Sequence, residues 1–204
     1  MKSKLFLFIY LCLAAITNNL NGQDTTQSNS TNDTVKARTY SFAGIEIKGA
    51  YKNYVQALSK KGFTLITTDT IENFAALGGK ISGVEVSVYI FWTPISKEVC
   101  RVGVIYPEHE SWFSISTEYN KIMKIINTKY GEGICDENWT YPYEDNHEGY
   151  EWTALITERL RKYCLWDGIR LSMNKEGNNI LIYTNPRIEE VFKKEQQQID
   201  EETY

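Results

Sequence analysis

The residues best suited to contact or chemistry lie between Asp136 and Trp152. Six carboxylates, Asp136, Glu137, Glu144, Asp145, Glu148 and Glu151, occur there with no lysine or arginine, interleaved with Trp139, Tyr141, Tyr143, Tyr150 and Trp152. On a strand, side chains two apart share a face, so Trp139, Tyr141 and Tyr143 would form a flat aromatic strip that could stack on a sugar or on a partner's apolar ridge. The same period would equally serve the core side of a strand lying beneath helices. Carboxylates are stable in water, so the tip carrying Glu144, Asp145 and Glu148 is expected to be exposed. Trp139, Tyr141, Tyr143, Glu144, Asp145, Glu148 and Tyr150 are therefore the candidate ligand-binding residues, for a protein or glycan with a basic or hydroxyl-rich surface. The acids lack the alternating aspartates and glycine of a calcium loop, so no metal site is expected.

A small carboxylate-dependent hydrolase of the cell envelope is the alternative, built on Glu144, Glu148 and Glu151. It would need two acids about 5 to 9 Å apart in a pocket, one with a raised pKa. A serine triad needs a histidine, and the chain offers only His109 and His147, both in polar, turn-like sequence that reads as solvated loop. No G-x-S-x-G, H-E-x-x-H, phosphate-loop or dinucleotide glycine pattern occurs. No catalytic residue is assigned and no cofactor is expected; a non-catalytic binding module is the preferred reading.

The start of the chain supplies an address. Lys2 and Lys4 precede an uncharged apolar run from Leu5 to Ile16, the pattern of a secretory signal peptide ending near Gly22-Gln23. The run is shorter than the roughly 20 residues of a membrane span. Cys12 sits inside it, not at its end behind small residues, so a lipoprotein is not expected; the protein reads as periplasmic or extracellular. Without Lys2 and Lys4 the chain has 20 basic against 26 acidic residues, a net charge of −6 that suits neither nucleic acid nor an anionic membrane. Export also permits disulfides. Of the remaining cysteines, Cys100 shares a strand side with Val102 and Val104 and reads as a core thiol, which leaves Cys135 and Cys164 as the expected pair.

Residues 23–40 are almost wholly Gln, Asp, Thr, Ser and Asn, too polar to bury anything, and read as a disordered tether. Residues 41–204 are long enough for one domain with a substantial core. Tyr51, Tyr54, Val55 and Leu58 predict a helix closed by Gly62, and β-like stretches follow at Phe63–Thr67, Phe74–Ile81, Val84–Phe91 and Val99–Tyr106. Ser111 begins a longer helix whose stripe is Trp112, Ile115, Tyr119, Ile122, Met123, Ile126 and Tyr130. Four more extended stretches are expected at Ile134–Tyr143, Tyr150–Trp166, Gly168–Met173 and Asn179–Thr184. Asn185 and Pro186 start a closing helix, fraying after Gln196. The order gives an α+β fold of two helix-plus-antiparallel-meander halves, about 41–108 and 109–204. They would form one sheet with helices on one face and a C-terminal helix appended. Phe74-Ala75-Ala76-Leu77 echoes Trp152-Thr153-Ala154-Leu155, and the run ending in Pro107 echoes that ending in Pro186.

The order Phe42-Ala43-Gly44-Ile45-Glu46-Ile47-Lys48-Gly49, Leu58-Ser59-Lys60-Lys61-Gly62-Phe63, Leu77-Gly78-Gly79-Lys80-Ile81-Ser82-Gly83, Trp112 and Lys129-Tyr130-Gly131 resembles a group of exported Bacteroidetes proteins, across residues 42–184. Members often carry Met at the place of Ala43. That resemblance implies O-glycosylation at Asp followed by Ser or Thr, which makes Thr25, Thr34 and Thr70 glycosylation candidates. The tandem helix-plus-sheet arrangement is also similar to β-lactamase inhibitor proteins, which bind other proteins through a concave sheet. That likeness is architectural and does not carry function.

Overall fold

A computed structural model describes residues 40–144 and 148–203. The expected signal segment, residues 23–39 of the expected tether with Thr25 and Thr34, and residues 145–147 with Asp145 and His147 lie outside the described residues.

A tight hairpin comes first, β1 Ser41–Phe42 and β2 Ile45–Glu46, turning through Ala43 and Gly44 at φ 51° and 75°. Helix α1, Tyr51–Ser59, follows and ends at Gly62, φ 93°, where the Phe63 N–H bonds the Leu58 carbonyl and the Phe63 ring folds back into the core. Four strands then run as a meander: β3 Thr64–Asp69, β4 Phe74–Ile81, β5 Val84–Trp92 and β6 Val99–Ile105. Helix α2, Trp112–Tyr130, is capped by the Ser111 hydroxyl, which accepts from the Ser114 N–H at 3.3 Å, and closes at Gly131. A second meander comprises β7 Ile134–Trp139, β8 Leu160–Trp166, β9 Ile169–Met173 and β10 Asn179–Thr184, with short helix α3 Glu151–Ile156 between its first two strands. Helix α4, Pro186–Thr203, closes the chain.

The eight long strands form one antiparallel sheet in the order β3-β4-β5-β6-β10-β9-β8-β7. Each half contributes a helix followed by four strands. The last strand of one half, β6, pairs antiparallel with the last strand of the other, β10. The register carries one row across all eight strands: Leu65, Leu77, Val88, Val104, Leu181, Leu171, Cys164, Cys135. The six inner members of that row are buried. The helices bring Tyr54 and Leu58 of α1 and Ile115, Tyr119, Ile122 and Ile126 of α2 into the same continuous core. Tyr51 stacks on Trp92, with centroids 3.8 Å apart, and fastens α1 to β5.

Three expectations need correction. Tyr150–Trp166 is not one extended stretch: its first part is α3, which buries Ala154 and Leu155 and stops at Glu158, φ 59°, whose successor Arg159 donates back to the Ala154 carbonyl. Phe74–Leu77 lies in β4 while Trp152–Leu155 lies in α3, so that likeness between the halves marks no shared structure. Helix α4, the appended C-terminal helix expected from the sequence, lies on the other face of the sheet. Arg101 alternates with core-facing Val102 and so points away from α1 and α2, and its guanidinium is bonded to Glu189 of α4. Third, α4 continues through Thr203, where fraying was expected. Its second half is held by side-chain bonds four residues apart, Gln196 to Asp200, Gln197 to Glu201 and Gln198 to Glu202.

Candidate functional site

Strand β7 ends at Trp139. Tyr141-Pro142, joined by a cis peptide bond, opens a turn in which the Tyr143 N–H returns to the Thr140 carbonyl at 3.1 Å. Trp139, Tyr141 and Tyr143 therefore do not share a strand, and the flat three-ring strip is not formed. Trp139 is half-buried and packed against the core, its indole N–H donating to Glu137 at 3.0 Å. Tyr141 is 76% exposed, whereas Tyr143 is half-buried against Tyr150, ring centroids 5.6 Å apart. Trp139→Ala should cost about 2 to 4 kcal/mol of folding stability, because it empties a packed site, while Tyr141→Ala should fall within about 0.5 kcal/mol of the parent. Urea titrations of the two variants check this; equal midpoints would mean that Trp139 is not a packing residue.

The acidic stretch is less isolated than its sequence suggests. Lys162 on β8 forms an ion pair with Glu137, and Tyr163 donates its hydroxyl to Asp136 at 3.0 Å. The bases missing from the segment arrive from the neighbouring strand. Glu144 and Glu148 are exposed at the tip and Glu151 sits in the first turn of α3, so none of the three lines either cleft described below. Among the described residues, no three His, Cys, Asp or Glu side chains are grouped so as to hold a metal ion. No helix among them is long and apolar enough to cross a membrane.

His109 is not a solvated loop histidine. Its Nε2 lies 3.0 Å from Glu118 of α2, the imidazole is mostly covered, and the Glu118 carboxylate also accepts from the buried Asn179 amide at 2.9 Å. The His109 N–H bonds the Gly177 carbonyl. The group thus ties the approach to α2 onto the β9–β10 hairpin. No serine, threonine or cysteine is bonded to the imidazole among the described residues, so the pair has no nucleophile to activate. Beside Glu118, an apolar cleft of about 360 Å³ runs between the β4–β5 turn and α2, lined among others by Ile81, Val84, Phe113, Ile122 and Ile125.

Cys135 and Cys164 are directly opposed on β7 and β8 and are joined by a disulfide. Cys100 is free and buried. Burial, and then the Glu189 carboxylate, push its thiol up to about 12, which keeps it protonated and poorly nucleophilic. Thr70 is exposed in the β3–β4 turn, where Asp69 turns inward to accept from the Ile71 and Glu72 N–H groups.

The largest of these features lies on the sheet face turned away from α1 and α2. Thr64, Gly78, Ser87 and Ile105 follow one another across β3 to β6 and form the floor of an open groove of about 960 Å³. The two neighbouring glycines serve opposite faces. A Cβ on Gly79 would meet the Phe63 ring at 2.2 Å on the core side, so Gly79 clears space for Phe63, while Gly78 leaves the groove floor bare beside Ile66. Lys61, Lys80 and Glu85 stand around the groove. The Lys80–Glu85 pair, 3.4 Å apart and well exposed, adds little stability and is free to exchange for a ligand's groups. The aromatic and acidic residues singled out in the sequence lie at the opposite edge of the sheet. The Gly78-Gly79 pair was the only local sign of the groove, because a groove across four strands depends on register.

No protein-family model, curated protein or solved structure matches this chain.

Proposed function

We propose that the chain is an exported, non-catalytic binding module of the periplasm or cell exterior that holds a protein or glycan in the groove on the sheet face turned away from α1 and α2. The observation that carries the reading is the groove itself: an open trough floored by Thr64, Gly78, Ser87 and Ile105, with lysines and a glutamate around it. An open face with mixed charge and a partly apolar floor suits recognition of a surface or an extended chain. It does not close around a small substrate or exclude water as hydrolysis would require. Exposure of Glu144 and Glu148 favours binding over a carboxylate-dependent hydrolase, because neither acid lines a pocket in which a substrate could be held. The lysine-flanked apolar start supports export, and the Cys135–Cys164 disulfide fits an oxidising compartment. The tandem helix-plus-meander arrangement keeps the resemblance to β-lactamase inhibitor proteins as support for a sheet-face binder, at the level of architecture alone.

The test is an affinity capture from envelope extract with immobilised protein, repeated after protease treatment of the extract and after periodate oxidation. Loss with protease identifies a protein ligand, and loss with periodate a glycan. A chain that retains nothing specific from either extract would contradict the reading.

A further inference from the structure

The two edges of the sheet are unlike. On β7 the edge carries Asp136 and Glu137 and is pinned to β8 by the disulfide, the kind of charged, constrained edge that resists pairing with another chain. On β3 the run Thr64–Thr68 has no charge and no proline, and Leu65 and Ile66 are 46% and 67% exposed. Among the described residues β3 pairs with β4 alone. Its only interruption is the bulge at Ile66, which turns that side chain over Gly78.

The flanks of β3 are oppositely charged. Lys60 and Lys61 precede it, Asp69 ends it and Glu72 follows it. Lys61 and Glu72 are exposed, and neither has an ion-pair partner among the described residues. Asp69 is committed to capping the turn, with its carboxylate 2.9 and 3.0 Å from the Ile71 and Glu72 N–H groups, which holds Glu72 at the strand's end.

We infer that β3 is a self-association edge: a second copy of this chain adds its own β3 antiparallel and joins the two sheets across a two-fold axis. Antiparallel addition sets the start of one β3 beside the end of the other, so Lys61 of each copy meets Glu72 of the second copy, twice by symmetry. Parallel addition would instead set lysine beside lysine and acid beside acid. The charge pattern therefore selects both the partner and its direction. Ile71, 86% exposed in the turn, gains cover in the same step. The inference holds whatever the groove binds; its consequence is that the two grooves, each bordered by Thr64 and Ile66, come side by side.

Sedimentation velocity of the purified chain from low to high micromolar concentration tests it. The expected result is a reversible dimer, weakened by salt and by about tenfold or more in Lys61→Glu or Glu72→Lys, and returned to within about threefold of the parent in the double charge swap. Ile71→Lys should break it too. All these side chains are exposed, so the variants should melt with the parent, and circular dichroism verifies this. A monomer at every concentration overturns the inference. So does a dimer indifferent to the single substitutions, or one that the double swap does not restore, since either would place the contact elsewhere or with an unrelated partner.

Discussion

Breaking the Cys135–Cys164 disulfide will lower the stability of the chain by about 3 to 4 kcal/mol, the loop-entropy value for a closure of this size. The two cysteines are 29 residues apart, and the loop between them contains the Tyr141-Pro142 turn, α3 and the start of β8. The effect should also be local. Five of the six residues of β7 are exposed, so apart from its ladder to β8 little else holds that edge. Hydrogen exchange of Cys135→Ala, Cys164→Ala protein should rise first at residues 134–139 and leave β4, β5 and β6 protected. Loss of less than about 1 kcal/mol in a urea titration, or protection unchanged at β7, would show that the strand is secured by other means.

The second large effect lies in α2. Ile122 and Ile126 are 5% and 3% exposed and press on the sheet from mid-helix, so truncating either to Ala should cost about 2 to 5 kcal/mol. Lys121 is exposed at the rim of the apolar cleft, and Lys121→Ala should stay within about 0.5 kcal/mol. Thermal melts of the three variants decide the matter. Equal shifts would mean that the helix presents a different stripe to the sheet.

Periodicity made much of this fold legible. Ile115, Tyr119, Ile122 and Ile126 recur at helical spacing because α2 buries one stripe, and Val86, Val88 and Ile90 alternate because β5 has one face toward α1 and the shared core. Gly62, Ser111, Gly131 and Asn185 marked element ends because a left-handed cap or a side-chain acceptor is needed there. Where periodicity is short it misled. Helix α3 has six residues and a single buried pair, Ala154 and Leu155, set among β-formers, so its pattern could not be told from a strand's. The Trp139, Tyr141, Tyr143 alternation matched a strand face, yet the chain turns at Tyr141-Pro142 before the period is completed. Pro142 was visible in the sequence, and its missing N–H is a reason to end a strand there.

The candidate site was less legible than the fold. The groove joins Thr64, Gly78, Ser87 and Ile105 from four strands, and none of these residues is unusual alone. His109 was read as solvated because its neighbours are Glu108 and Glu110, while its partners Glu118 and Asn179 come from later elements. The acids of residues 136–137 looked unpaired because Lys162 lies on the next strand.

If the groove over Gly78 holds the ligand, filling it will abolish binding. Ser87→Tyr places a ring on the groove floor without touching the core row Leu77, Val88 and Val104. Immobilised parent, Ser87→Tyr and Tyr141→Ala proteins are compared for what each retains from envelope extract, after melting curves have confirmed equal folding. The parent and Tyr141→Ala should retain the same protein or glycan, and Ser87→Tyr should lose it. Retention by Ser87→Tyr, with loss in Tyr141→Ala, would instead place the site at the tip of the β7–α3 turn and rule out the groove.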